Sequence, residues 1–217
     1  LNTAMAADSD VLVDFNNVTF SYDDDKNVVE NLSFSIKKGE QVTLSGRTGA
    51  GKSTIFKLLL GLYEPGKGSV SIAGQKVTAI PDSEKRKIYG YVEQTFHMVT
   101  GTVKDQITLY DTSITDEDVI EAAKTAGLHD AIMELENGYD TICKPEDFSQ
   151  GQWQLLSIAR AAAAKPELLL LDEITANLDA DTEKNVLEAL NRVSENRTVI
   201  SISHRTNART GRIIEIA

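Results

Sequence analysis

The first part of the chain alternates apolar and polar positions. The alternation runs through VLVDFNNVTF (11–20), LSFSIKKG (32–39) and QVTLSG (41–46), and it returns in GSVSIAGQKV (68–77). A period of two is typical of strands that have one face against a core and the other in water. We therefore predict an antiparallel sheet at the front of the chain, built from these segments.

Two later segments are apolar without this alternation. They are ELLLLDE (167–173) and TVISISH (198–204), and each follows a stretch with a helical pattern. Short apolar runs of this kind are typical of parallel strands that are covered on both faces. The sequence therefore predicts an α/β fold with a mostly parallel core sheet.

A helical pattern occupies the middle of the chain. Thr115 and Asp118 form a capping box in front of DEDVIEAAKTA, a combination that starts helices. We predict a helical subdomain at about 103–165, inserted into a single domain of residues 11–217. Residues 1–10 are small and polar, and we expect a linker or the remnant of a preceding segment in a longer polypeptide.

Composition narrows the possible functions. The 217 residues carry a formal charge of −11, with 33 acidic and 22 basic side chains, which disfavours nucleic acid or an anionic membrane as the main ligand. The chain has 1 cysteine, so an internal disulfide is excluded, and we expect Cys143 to be an inert thiol. No apolar run approaches the roughly 18 residues of a membrane-spanning helix.

The segment GRTGAGKST (46–54) fits the pattern G-x-x-x-x-G-K-[ST] between a predicted strand and a predicted helix. Glycines at these positions let successive backbone N–H groups turn inward around phosphate oxygens, and the following helix adds the positive end of its dipole. Lys52 would reach the β- and γ-phosphates, and Ser53 would bind Mg²⁺. The predicted nucleotide-binding residues are Gly46, Arg47, Thr48, Gly49, Ala50, Gly51, Lys52, Ser53 and Thr54.

Two adjacent carboxylates end the run LLLLDE. A bound nucleotide with Mg²⁺ needs an acid at the end of a neighbouring strand, so Asp172 would hold the metal through water. Glu173 would then orient and deprotonate the attacking water. The alternative is a strand end with two solvated acids.

The segment FSQGQ (148–152) contains a glycine where a helix begins. Ser149 and Gln152 form a capping box, which leaves Gly151 inside the first turn. Glycine in a helix costs about 1 kcal/mol relative to alanine. We therefore expect another group to approach this backbone closely.

Six motifs in one order identify a family that the chain resembles. In the sequence they are the P-loop at 46–53, YVEQTF, FSQGQ, LLLLDE, ANLD, and the histidine that closes TVISISH. From about Val11 to Ile216 the chain resembles the ATP-binding cassette of ABC transporters. The resemblance implies a P-loop NTPase core with a mostly parallel sheet, an N-terminal antiparallel β subdomain and an inserted helical subdomain.

The resemblance also implies that two cassettes stack head to tail. The signature residues Ser149, Gly151 and Gln152 of one cassette would then cover the ATP held by the P-loop of the other, and Gly151 would lack a Cβ because the nucleotide lies against it. Phe148 and Gln150 depart from the common form LSGGQ, whereas the serine and the second glycine are retained.

Four further positions take roles from the resemblance alone. Gln94 would join the Mg²⁺ shell and sense the membrane partner, and His204 would contact the γ-phosphate and support the attacking water. Tyr22 would stack on adenine, and Asp179 would pass information across the dimer. The alternatives are a structural histidine for His204 and an aromatic residue ending an edge strand for Tyr22.

The favoured function is therefore an ATP hydrolase that powers an exporter with fused transmembrane domains, at the cytoplasmic face of the membrane, with ATP and Mg²⁺ as cofactors. TFHMVTGTVKDQI (95–107) resembles the exporter segment that follows the Gln-containing loop. The expected partners are a second cassette, identical or different, and the transmembrane domain, while this fragment itself is expected to be soluble. Alternatives are a soluble cassette ATPase in DNA repair or translation and a non-hydrolysing interaction module, against which Glu173 and His204 argue.

Overall fold

The computed structural model describes residues 10–24, 26–46, 51–172, 178–202 and 211–216. Within these ranges the chain forms a 4-stranded sheet and a 5-stranded sheet. Helices pack against the 5-stranded sheet. The strands are β1 (Val11–Phe20), β2 (Val29–Lys37), β3 (Gln41–Ser45), β4 (Lys67–Ile72), β5 (Gln75–Lys76), β6 (Tyr89–Val92), β7 (Leu168–Asp172), β8 (Thr198–Ile202) and β9 (Arg212–Glu215). The α-helices are α1 (Lys52–Leu59), α2 (Asp82–Ile88), α3 (Val103–Thr108), α4 (Asp116–Ala126), α5 (His129–Met133), α6 (Gln150–Ala163) and α7 (Ala180–Ser194).

The front of the chain forms an antiparallel sheet in the order β2-β1-β4-β5. Val13 in β1 pairs with Ile36 on one side and with Ile72 on the other. The buried side chains of this sheet form a core face on which Phe15 stacks against Phe34, with the ring centroids 4.5 Å apart. The predicted antiparallel sheet is thus confirmed for three of the four segments that alternate.

The fourth segment, Gln41–Ser45, does not belong to that sheet. It is β3 of a parallel sheet with the order β6-β7-β8-β3-β9, and the prediction of an antiparallel partner was wrong. Thr43 and Ser45 gave β3 an alternating appearance, yet both are as buried as Val42 and Leu44. Threonine and serine are small enough to be covered when their hydroxyls are bonded, so polarity in the sequence did not indicate a wet face here.

The parallel sheet separates two hydrophobic cores, as its apolar strands predicted. Leu168 and Leu170 of β7 point to the core that contains β1 and α1. Leu169 and Leu171 point to the core formed with α3, α4, α6 and α7. Because successive side chains of a strand point to opposite faces, β7 must be apolar on both. The predicted α/β class is confirmed.

Helices α3 to α7 contribute to the second of these cores, whereas α1 packs in the first. The capping box of Thr115 and Asp118 is confirmed at the start of α4, and Gly127 caps the carboxyl end of this helix. Helices α3, α4 and α7 all pack against α6. The limits of a separate helical subdomain stay a prediction. The division between residues 1–10 and the rest also stays a prediction, because residues 1–9 lie outside the described ranges. Among the described helices, none has the length and the apolar run that crossing a bilayer requires.

Candidate nucleotide-binding site

The carboxyl ends of three parallel strands meet at one edge of the sheet. Ile202 of β8 is paired with Leu44 of β3 on one side and with Asp172 of β7 on the other. Neighbouring strands are about 4.8 Å apart, so the predicted P-loop leaves the sheet about 10 Å from Asp172. In open α/β sheets, ligands bind at the carboxyl ends of the strands.

The two ends of the P-loop are held together by a lysine. Lys52 begins α1, is only 5% exposed, and donates a hydrogen bond from Nζ to the carbonyl oxygen of Gly46 at 2.6 Å. Gly51 has a φ of +91°, and a Cβ there would lie 3.0 Å from the carbonyl oxygen of Val28, so glycine is required. Arg47, Thr48, Gly49 and Ala50 lie outside the described residues, and their predicted roles are untested.

The start of α1 fits a bound anion. The N-cap of this helix is Gly51, which has no side chain to cap it, and the first turn contains no acidic residue. The N–H groups of a helix start and its dipole favour negative charge, and the cationic Lys52 lies at the same end. Ser53 is exposed in this turn, where its hydroxyl is accessible to a metal ion. These residues fit a phosphate group with Mg²⁺.

Asp172 is bonded to a tyrosine that the sequence did not single out. The hydroxyl of Tyr91 in β6 donates to Oδ2 of Asp172 at 3.2 Å. Burial, together with the neighbouring carboxylate, raises the pKa of Tyr91, so the phenol stays protonated and able to donate. Tyr91 also packs edge-on against Phe56 of α1, with the centroids 6.0 Å apart. An aromatic residue in a strand is ordinary core, and no sequence signal pointed to this contact.

Tyr22 lies beside the first turn of α1. Its hydroxyl is 3.0 Å from Oγ1 of Thr54, while Tyr22 as a whole is 45% exposed. Tyr63 makes an edge contact with this ring at 5.3 Å, and Nζ of Lys57 lies over it, 5.5 Å from the centroid. Tyr22 is thus an accessible aromatic surface next to the P-loop helix, while its stacking on adenine stays a prediction.

The capping box at the start of α6 is confirmed. The backbone N–H of Gln152 donates to Oγ of Ser149 at 3.2 Å, and the N–H of Ser149 donates to Oε1 of Gln152 at 3.0 Å. Gly151 is buried, and the three atoms closest to a Cβ built on it all belong to Thr182. The close approach expected at this glycine is therefore real, but in this chain it is made by a side chain of α7. Contact of Gly151 with a nucleotide stays a prediction.

Asp179 caps α7. Its two carboxylate oxygens accept hydrogen bonds from the backbone N–H of Thr182 at 2.9 Å and from the hydroxyl of Thr182 at 2.8 Å. These bonds lower the pKa of Asp179. The sequence predicted a role for Asp179 but gave no indication of Thr182.

Gln94 lies in a groove beside α6. Its carbonyl oxygen accepts a hydrogen bond from Nε2 of Gln154 at 2.5 Å. The groove has a volume of about 460 Å³, and Gln94, Phe96 and Trp153 contribute to its walls. The role of Gln94 toward Mg²⁺ stays a prediction. Glu173 and His204 lie outside the described residues, so their predicted roles are likewise untested.

Comparison with known proteins decides the family. A model of the ABC transporter family matches residues 29–176, which is more than half of the chain. The chain belongs to this family. The ABC transporter ATP-binding protein YfiC of Bacillus subtilis, itself uncharacterized, is 41% identical over 197 residues, which cover 90% of this chain and 33% of that protein.

Relatives of the cassette include transporters from eukaryotes. ATP-binding cassette sub-family B member 6 of Xenopus tropicalis is 36% identical over 89% of this chain and 23% of its own length. The ABC multidrug transporter MDR2 of Trichophyton tonsurans is 42% identical over 90% of this chain and 15% of its own. The chain thus spans a third or less of the length of these relatives.

A solved structure of a bacterial Atm1-family ABC exporter with ATP bound matches 99% of this chain and 38% of its own, with a TM-score of 0.83 and 34% identity. The cassette is therefore exporter-like in sequence and in fold. None of these relatives supports the alternative in DNA repair or translation.

Proposed function

We propose that this cassette binds ATP with Mg²⁺, pairs head to tail with a second cassette, and hydrolyses ATP to power an exporter. The observation that carries the proposal is the alignment of Leu44, Ile202 and Asp172 in one row of the parallel sheet. In this row the strands that lead to the P-loop and to His204 end beside Asp172, at the carboxyl edge of the parallel sheet. A family whose members bind ATP is consistent with that arrangement.

Bound ATP supplies the γ-phosphoryl group, and Mg²⁺ neutralises part of its charge. In our proposal Lys52 leaves the Gly46 carbonyl to bind the phosphates through a charge-assisted hydrogen bond. Ser53 and Asp172 would hold the metal, Asp172 through water, and Gln94 would complete its shell.

Glu173 follows Asp172 directly and would accept a proton from the attacking water. His204 would contact the γ-phosphate and orient that water. Closure of the site would depend on the second cassette, whose Ser149 and Gly151 would cover the nucleotide, with Asp179 at the same interface.

We also propose the groove beside Gln94 as the contact with the transmembrane domain. The rings of Phe96 and Trp153 lie in its wall with their centroids 5.1 Å apart and an interplanar angle of 31°. Such aromatic surfaces with few charges suit the apolar face of a short helix. This contact would place the cassette at the cytoplasmic face of a membrane. The relatives in which the cassette is a minor part of a longer transporter support this assignment.

The test is Glu173→Gln in the 217-residue chain. Losing the base should leave ATP binding intact, stabilise an ATP-bound dimer and abolish most phosphate release, as measured by calorimetry, sedimentation and a phosphate assay. Glu167→Gln, at the start of the same acidic and leucine-rich segment, is the matched control and should hydrolyse ATP normally. Normal turnover in Glu173→Gln would refute the assignment of the base.

A further inference from the structure

Gly151 and Thr182 face each other where α6 and α7 begin. The two helices pack together, and a Cβ on Gly151 would lie less than 3.0 Å from Cγ2 of Thr182, with Thr182 Cβ at 3.5 Å and Oγ1 at 3.8 Å. A real Cβ does not approach a carbon atom so closely. The methyl group of Thr182 therefore fills the space that any larger residue at 151 would need.

The Thr182 side chain is held in place. Its hydroxyl donates to Oδ2 of Asp179 at 2.8 Å, and its backbone N–H donates to Oδ1 at 2.9 Å. A threonine side chain has few allowed rotamers, and the bond from its hydroxyl selects one of them. Turning the methyl group away from Gly151 would break the bond to Asp179.

The backbone itself does not require glycine at this position. Gly151 is the second residue of α6, and it is not among the glycines with a positive φ. Alanine is the better residue in a regular helix. Packing against Thr182 is therefore the reason within this chain for a glycine here.

We propose that Thr182 is a positioning residue for the signature turn, residues 149–151. Asp179 fixes Thr182, and Thr182 sets how closely this turn lies to the start of α7. Because close-packed side chains transmit displacements, a movement of Asp179 is passed to Gly151 within one chain. The packing of Thr182 against Gly151 does not depend on the proposed function, whereas its effect on the pairing of two cassettes rests on that function.

The first experiment measures melting temperatures of the 217-residue chain in two backgrounds. Gly151→Ala should lower the melting temperature by about 2 to 4 °C with Thr182 present. With Thr182→Ser, which keeps the hydroxyl and removes the methyl group, the same change should raise it, because only helix propensity remains. If Gly151→Ala does not fold with Thr182 present but folds with Thr182→Ser, that outcome supports the proposal equally.

Thr182→Val is the matched control for the methyl group. Valine keeps a methyl group on Cβ and has a second methyl group where threonine has its hydroxyl. Gly151→Ala should therefore still lower the melting temperature in this background. If Gly151→Ala raises the melting temperature equally with Thr182 and with Ser at this position, the methyl group is not the obstacle and the proposal is overturned.

The second experiment measures pairing. In the Glu173→Gln chain with ATP and Mg²⁺, Thr182→Ser should raise the dissociation constant of the dimer severalfold, while ATP binding to the monomer is unchanged. If Thr182 contributed only to the stability of the fold, Thr182→Ser would not weaken dimer formation while leaving the affinity of the monomer for ATP unchanged. An unchanged dimer constant would overturn the positioning role.

The two proposals fail in different ways. If Glu173→Gln with an intact Thr182 stays monomeric with ATP, head-to-tail pairing of this chain is refuted, and the reversal in melting temperature still decides the Thr182 packing. If that dimer forms and Thr182→Ser leaves it unaffected, the proposed function stands and the positioning role is refuted.

Discussion

The hydroxyl of Tyr22 lies 3.0 Å from Oγ1 of Thr54, and this contact connects the segment after β1 to the first turn of α1. It aligns an exposed aromatic ring with the helix that begins at Lys52. A base stacked on Tyr22 would therefore belong to the same nucleotide as the phosphates at the P-loop.

Tyr22→Ala should weaken ATP binding, because stacking of a base on an aromatic ring contributes about 1 to 3 kcal/mol. Titration calorimetry should show a loss of affinity of about five- to 150-fold. Tyr22→Phe keeps the ring and loses only the bond to Thr54, so its affinity should fall much less. Inorganic tripolyphosphate has no base and should bind both variants like the unaltered chain; an equal loss for tripolyphosphate would exclude stacking.

Lys52→Ala should reduce ATP affinity by about tenfold or more, since a hydrogen bond to a charged group contributes about 1.5 to 3 kcal/mol. The exposed Lys38 provides the matched control, because it precedes the amino end of β3, whereas the P-loop follows the carboxyl end of that strand. Lys38→Ala removes the same charge and should bind ATP normally. Fluorescence titration with a labelled nucleotide measures both. Equal affinities in the two variants would contradict the P-loop assignment.

Tyr91→Phe should weaken metal binding without removing a metal ligand. The Tyr91 hydroxyl orients Asp172, and partners that orient metal ligands typically change metal affinity about tenfold or more. Tyr89→Phe is the control in the same strand, because the Tyr89 hydroxyl donates to the carbonyl oxygen of Leu59 at 2.8 Å instead. Each variant loses one hydrogen bond of a tyrosine hydroxyl, buried for Tyr89 and part-buried for Tyr91, so Tyr91→Phe should lose no more stability than its control.

Electron paramagnetic resonance of Mn²⁺ with ATP separates these two tyrosines. Tyr91→Phe should bind Mn²⁺ more weakly than Tyr89→Phe and the unaltered chain. The same Mn²⁺ affinity in both variants would show that the bond from Tyr91 does not support a metal site.

Cys143 should make stability depend on alkaline pH. Burial of its thiol, with the nearby charge of Asp147, raises the pKa of Cys143 from 9.0 to about 11. Above pH 9 the unfolded thiol loses its proton while the folded one retains it, so the free energy of unfolding falls as the pH rises toward 11.

Urea denaturation at pH 8 and pH 10 measures this effect. Lysines also titrate in this range, so the comparison is between the unaltered chain and Cys143→Ala, which should lose less stability at pH 10. Native Cys143 should also react slowly with thiol reagents, as expected of an inert thiol. An identical loss of stability in both chains would contradict the burial of this thiol.

Features that depend on neighbours along the chain could be predicted from the sequence. The capping boxes of Ser149 and Thr115, the antiparallel front sheet and the apolar strands β7 and β8 follow from local hydrogen bonding and periodicity. The family, too, followed from motif order, because each motif is a short local pattern.

Which distant residues meet depends on how the elements pack. The alternation in Gln41–Ser45 could not reveal a strand covered on both sides, since its neighbours β8 and β9 come more than 150 residues later. Tyr91 meets Asp172 because β6 pairs with β7 in register. The partner of Gly151 was predicted as a nucleotide from another chain, yet within this chain it is Thr182. Such contacts depend on how sheets and helices pack, and no local pattern encodes that packing.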